Sequence, residues 1–343
     1  MKLRHSLKDV ATEAGVSAAT ISRYLNGSLD LPEATRTRID AAVEKLSYHP
    51  NPHARRLSLG RSDTIALILP DIANPFFAKL AAAIELAAAA HKSMVLLHAT
   101  FNKSERELAA LKRAAQNRVD GVIFITNRSP EAQVAQELNE FTRAVILDED
   151  VPGGMAPRLL CDNEMGGVLA GRHLREAGHS HIAYFGGGSD LHSTQTRLAG
   201  LRLGLAENSE TGIEPTLFVG DHSPTSGREL AKRFLAQADQ ETAIFSGSDE
   251  LTVGTIEVFN EQGVRIPEDF SLISFDDARS LHLFAPPITS VRQPVDQLGA
   301  RAVDILFSDT WDQPDFRSLI ERMPVTLIER SSVTAPAKNK NRI

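Results

Sequence analysis

Lys8-Asp9-Val10-Ala11-Thr12-Glu13-Ala14-Gly15-Val16-Ser17-Ala18-Ala19-Thr20-Ile21-Ser22-Arg23-Tyr24-Leu25-Asn26 reads as two short helical stripes on either side of a glycine. Leu7, Val10, Ala11 and Ala14 recur at helical spacing, Gly15-Val16 interrupts them, and Ser17 is a good N-cap for a second stripe through Thr20, Ile21, Tyr24 and Leu25. Asn26-Gly27 closes that stripe, and Pro32 with Glu33 opens a third carrying Ile39, Val43 and Leu46. Three helices are predicted. Two helices joined at a glycine cross steeply, so the second can enter a major groove while the first braces the backbone. Ala18, Ala19, Ser22 and Arg23 are expected on the face left free by Ile21 and Leu25. There Arg23 can fork onto O6 and N7 of a guanine, and the alanine methyls can meet a thymine methyl. A small helical bundle with no DNA role has the same periodicity.

Charge separates the two ends. The chain of 343 residues carries a net charge of −7, but residues 1–61 hold ten Lys/Arg against six Asp/Glu, +4, leaving 27 against 38, −11. A phosphate footprint needs only the contacting module to be positive, and an acidic remainder opposes indiscriminate adhesion to nucleic acid. At 42% hydrophobic and 24% charged residues the composition is globular, and no apolar run approaches the length of a membrane span. The opening residues run into Lys8 and Asp9 without an apolar region, so a cytoplasmic protein is expected. One cysteine, Cys161, excludes an internal disulfide framework and a multi-cysteine metal site. No cofactor or metal is expected.

Beyond a basic, proline-punctuated stretch at residues 47–62, β-rich apolar runs alternate with helical ones. Strands are expected at 64–69, 94–98, 121–125 and 144–147, with helices at 76–91, 103–118 and 131–141 between them. A second series has strands at 158–161, 181–185, 214–219, 243–246 and 271–275 and helices at 163–177, 194–207, 223–236 and 249–262. Such alternation predicts two doubly wound subdomains of parallel sheet.

The segment from Leu7 to Asn26 resembles the helix-turn-helix signature of the lactose-repressor (LacI/GalR) family of bacterial regulators, and the likeness runs over essentially the whole chain. The resemblance implies an all-α helix-turn-helix head joined to an α/β sensor like the periplasmic sugar-binding proteins. Base reading then falls on Ala18, Ala19 and Arg23, with Ser17, Thr20, Ser22 and Asn26 in backbone or supporting contacts. Ala54-Arg55-Arg56-Leu57 is similar to the family's hinge helix, in which Leu57 would wedge into a central minor-groove step with Arg55 and Arg56 near phosphates. Pro52 and His53 depart from the small or β-branched residues usual there, and a plain exposed linker is the alternative. The implied organisation is a head at 1–50, hinge and linker at 51–62, an effector-binding and dimerisation domain at 63–334, and a disordered basic tail at 335–343.

In open α/β sheets ligands lie outside the carboxyl ends of strands. Asn74, Phe76 and Phe77 follow the first strand, Asp148 and Glu149 the fourth, and Asp249 and Asp276 later ones. With Ser193, Arg197, which matches the family's ligand-contacting arginine, and Gln293 in a late segment returning to the cleft, they form the expected effector set. Aromatic faces, carboxylates and an arginine suit a carbohydrate, although any one of these residues can equally cap a helix. Glu149 stands where sugar-binding relatives often have arginine, and Leu191 where the purine-responsive member has one, so a carbohydrate is favoured over a purine. Gly186-Gly187-Gly188 lacks phosphate-loop spacing and reads as a tight loop entering the cleft.

The expected function is a sequence-specific transcription regulator, a repressor by preference, tuned by a small effector bound between the subdomains. Its partners are near-palindromic operator DNA and a second copy of itself, since one head reads too few base pairs, with a higher oligomer left open. The rival is an enzyme pairing Asp148, Asp249 or Asp276 for glycoside chemistry. It lacks a nucleophile motif, metal spacing and cofactor fingerprint, and has no use for a DNA-reading head.

Overall fold

The computed structural model describes residues 5–48, 61–129, 131–207 and 213–336. Ala54, Arg55, Arg56 and Leu57 of the expected hinge lie outside them, as does the expected tail from residue 337. The chain divides into two compact units, Met1–Asp63 and Thr64–Ile343.

In the first unit, helices α1 (Leu7–Ala14), α2 (Ala18–Leu25) and α3 (Glu33–Lys45) close over Val10, Ile21 and Ile39, all fully buried. Ser6 and Asp9 form a capping box that starts α1, and Gly15 at φ 64° ends it in the left-handed conformation. Ser17 caps α2 by accepting from the Thr20 amide. The Tyr24 hydroxyl donates to Asp40 and Lys45 pairs with Glu13 at 2.6 Å, tying α2 and α1 to α3.

The second unit has two six-stranded sheets. Strands β1 (Thr64–Leu69), β2 (Met94–Ala99), β3 (Gly121–Phe124), β4 (Ala144–Leu147) and β5 (Arg158–Cys161) join a late β11 (Ile320–Met323) in the order β11-β5-β4-β3-β1-β2. The second sheet holds β6 (Ile182–Gly186), β7 (Thr216–Val219), β8 (Ala243–Ser246), β9 (Ser271–Phe275), β10 (Thr289–Arg292) and β12 (Thr326–Ile328), ordered β12-β10-β9-β8-β6-β7. All pairings are parallel except β10 with β12. Both sheet faces are covered, which is why the strands read as continuous apolar runs. Ile65, Leu67 and Leu69 pack toward helices α4 (Pro75–Ala90) and α11 (Val295–Phe307), while Ala66 and Ile68 face α5 (Ser104–Gln116) and α6 (Ala132–Asn139).

One expectation is corrected. Arg158–Cys161 opens the second series in the sequence but pairs with β4 in the first sheet. The first subdomain also recovers α11 and β11 from the far end of the chain. The chain therefore crosses between subdomains three times, near residues 162, 293–294 and 324–325.

Helices α7 (Asn163–Glu176) and α8 (His192–Ala206) lie against the second sheet in backbone contact. A Cβ on Gly200 would sit 1.9 Å from the Glu164 carbonyl oxygen, so only glycine permits the crossing that sets Arg197 of α8 against Asn163 of α7. No helix among the described residues is long and apolar enough to cross a membrane.

Candidate functional site

On α2 of the first unit, Ala19 and Arg23 are exposed on one face while Ile21 is buried on the other. Ser22 and Asn26 are half-buried beside them, and Thr20 is held to Ser17 by a 2.8 Å hydroxyl contact. Ala18 departs from expectation: it packs partly against the head's own core, because it shares a helical stripe with Ile21 and Leu25. The side chains freely presented by α2 reduce to Ala19, Arg23 and part of Ser22.

In the second unit, the ten residues singled out from the sequence line one cleft between the subdomains. The first subdomain contributes Asn74, Phe76, Phe77, Asp148 and Glu149; the second contributes Ser193, Arg197, Asp249 and Asp276; Gln293 lies at a crossing. Asp148 and Asp276 hold equivalent places just past β4 and β9, and both adopt positive φ, 74° and 69°. Such backbone is sparsely populated for a residue with a Cβ, and here it accompanies carboxylates set at the mouth of a cleft.

Arg197 organises the second wall. Its Nε donates to Asn163 Oδ1 at 2.7 Å and an Nη donates to the Gly247 carbonyl, and its guanidinium lies 3.6 Å from the centroid of Phe275. Gln293 Nε2 donates to Asp276 at 2.6 Å. Asn74 is engaged as the N-cap of α4, accepting from the amides of Phe76 and Phe77. The two rings meet edge to face at 5.2 Å, but Phe77 belongs to the core below, which leaves Phe76 as the more open aromatic surface. Leu191, at the start of α8, is buried and offers no cap.

Sequence reading missed Asn127, His222, Ser248 and Glu250, which also line the cleft. His222 nests against Gly187, where a Cβ would stand 2.2 Å from its Nε2, so the glycine run makes room for an imidazole. That run was the available signal. Burial, with Arg197 nearby, lowers the His222 pKa to about 3, so the ring is neutral at ordinary pH. Burial likewise raises Asp249 well above the usual carboxylate range, with repulsion from Asp276 adding to it. Asp148 is pushed up to about 7, by burial first, against the attraction of Arg197. Asp148 Oδ1, Gln293 Oε1 and His222 Nδ1 have no hydrogen-bond partner among the described residues. Unsatisfied groups converging in a cleft are the mark of a site awaiting a hydrogen-bonding ligand. Among the described residues no His, Cys, Asp or Glu cluster is arranged to hold a metal ion.

The raised Asp148 fixes a sign. Its folded-state pKa exceeds the unfolded value, so the protein gains stability from it at low pH and loses that gain as pH rises from about 4 through about 7. Asp148→Asn is therefore expected to stabilise the protein more at pH 8 than at pH 5, by urea unfolding at both. Equal increments would mean that the carboxyl titrates in the ordinary range.

Residues 6–51 match the bacterial regulatory proteins, lacI family, and residues 172–333 match the periplasmic binding protein-like domain. The HTH-type transcriptional repressor PurR of Erwinia tasmaniensis is 34% identical over 330 residues, spanning 96% of each chain. The solved lac repressor dimer bound to operator and the anti-inducer ONPF superposes with a TM-score of 0.81 at 27% identity, covering 97% of this chain and 100% of that one. A LacI family transcriptional regulator from Enterococcus faecalis V583 with bound ribose gives 0.69 at 30% identity, covering 80% of this chain and 100% of its own.

Proposed function

The chain belongs to the lacI family of bacterial regulatory proteins, and from that premise we propose that it is a cytoplasmic, operator-binding repressor whose DNA affinity is set by a carbohydrate bound in the cleft of its second unit. The observation that carries the ligand reading is the convergence of Asp148, Arg197, Asp276 and Gln293 from both subdomains around unsatisfied hydrogen-bonding atoms. Hydroxyl groups donate to Asp148 and Asp276 and accept from Arg197, and Phe76 supplies an apolar face for a sugar ring. The ribose-bound relative supports that ligand class. The carboxylates serve binding, not glycoside chemistry, in keeping with relatives that are regulators.

In this reading Arg23 and Ala19 read base edges, Ala18 meets a thymine methyl at the edge of its packing, and Ser17, Thr20, Ser22 and Asn26 position the backbone. Ala54, Arg55, Arg56 and Leu57, outside the described residues, are assigned to contacts with the minor groove and its phosphates. The working form is a homodimer on a near-palindromic site, as the operator-bound lac repressor dimer is. The edge strand β2, with Met94 and Leu97 exposed, offers surface for a second copy. Ligand closes the two subdomains about the three crossings, alters the spacing of the paired hinges, and by linkage ligand and operator change each other's affinity by one factor.

A thermal-shift screen of the full chain against sugars, sugar phosphates, purines and nucleosides, followed by operator titration with each hit, tests this. A carbohydrate that raises the melting temperature by mass action and shifts operator affinity is the expected result. Stabilisation by a purine or nucleoside alone would overturn the ligand class and leave the regulator reading standing.

A further inference from the structure

Glu149 does something its neighbours in the cleft do not. It follows β4 in the first subdomain, yet its carboxylate accepts from the Ser193 amide at 3.3 Å and from the Ser193 hydroxyl at 2.6 Å, across the cleft on the second subdomain. Both residues are almost fully buried. Ser193 is the second residue of the 15-residue helix α8, whose N-cap Leu191 offers no side-chain acceptor. A helix start presents unsatisfied amides and the positive end of the helix dipole, and Glu149 supplies the anion that this end takes. Arg197, one turn further on, is fixed in place by its Nε and one Nη, which donate to Asn163 and Gly247. The orphaned atoms of Asp148 and Gln293 belong to residues that line the same cleft as Glu149 and Ser193.

We propose that Glu149 determines the charge class of the effector. By filling the anion position at the start of α8 from the opposite wall, it leaves the cleft fit for a neutral polyol and closed to phosphorylated or carboxylated ones. This rests on the cleft being the effector site. An entering phosphate would have to displace a carboxylate that accepts from the Ser193 amide and hydroxyl, and then sit among the carboxyl groups of Asp148, Asp249 and Asp276 that line the same cleft.

The test is calorimetric titration of the full chain with inorganic phosphate, ribose 5-phosphate and ribose, for wild type, Glu149→Ser and Glu149→Gln. Wild type is expected to take neither anion in the cleft. Glu149→Ser vacates the helix end and is expected to bind both anions about tenfold or more tighter than wild type does. Glu149→Gln retains an acceptor for Ser193 without the charge, preserves the fold if the serine variant does not, and is expected to show a smaller gain of the same sign. The DNA-reading head is common to all three proteins, so phosphate binding there cancels in the comparison. Anion affinities unchanged in both variants, or a wild type that binds ribose 5-phosphate tighter than ribose, would overturn the proposal. The gain in phosphate affinity is read without any carbohydrate bound. Failure of the sugar reading therefore appears separately, as an absent response to ribose and every other neutral sugar beside an intact gain for phosphate.

Discussion

Arg197→Ala is expected to abolish the response of the full chain to its cleft ligand and to lower the stability of the second unit by about 3 kcal/mol. The side chain is 5% exposed and holds three things at once: Asn163 of α7, the Gly247 carbonyl after β8, and the face of Phe275. Truncation leaves the Gly247 carbonyl without this donor and removes a buried cation–π contact. It also takes away the charge that opposes burial at both Asp148 and Asp276. Those carboxyls then hold their protons to higher pH, and the acceptor oxygens a polyol would use are lost with the guanidinium that would donate to it. Arg197→Lys restores the charge without the planar fork, so it should recover part of the stability and little of the ligand response. Chemical unfolding followed with calorimetric titration of the ligand separates the two. A full ligand response in a stably folded Arg197→Ala protein would put the ligand elsewhere.

Local periodicity made the elements legible. Thr64–Leu69, Ala144–Leu147, Arg158–Cys161, Ala243–Ser246 and Ser271–Phe275 stand where the apolar runs begin and end, because a parallel strand covered on both faces has nothing polar to blur its ends. Strand order is not a local property. Nothing within Arg-Leu-Leu-Cys at 158–161 distinguishes pairing with β4 from pairing with the strands that follow. The late elements from Thr289 onward, β10, α11, β11 and β12, were read only through Gln293, so the threefold crossing that makes the cleft went unseen. The cleft residues were found because strand ends point there in this architecture. His222 and Asn127 sit on loops whose direction depends on contacts far away, and His222 enters only because Gly187 has no side chain. Ala18, three residues before Ile21 on the same stripe, is only half-exposed, so its reading position is shared with the head's own packing.

Arg23→Ala is expected to weaken binding to the preferred operator by about 1 to 3 kcal/mol, roughly 5- to 150-fold, and to erase preference at one guanine per half-site. With Ala18 partly packed on the head's core and Ala19 limited to a methyl, Arg23 is the long exposed side chain on the outward face of α2, the one group there able to make two hydrogen bonds to a base edge. The helix should survive the change. Its core anchor is Ile21 and its tie to α3 runs through Tyr24 and Asp40, neither of which Arg23 supports. Arg23 does lie in the last turn of α2, where a cation favours the helix dipole by a few tenths of a kcal/mol. Arg23→Lys keeps that contribution and the attraction to phosphate while losing the bidentate fork, which isolates base reading from charge. The measurement is a titration of wild type, Arg23→Ala and Arg23→Lys on the operator, on operators with each guanine replaced in turn, and on random duplex, at two salt concentrations. Both variants should bind one replaced operator as well as the original, with the lysine protein retaining the steeper salt dependence. If Arg23→Ala instead loses the same factor on operator and on random duplex, Arg23 is a phosphate contact and the head reads its site through DNA shape.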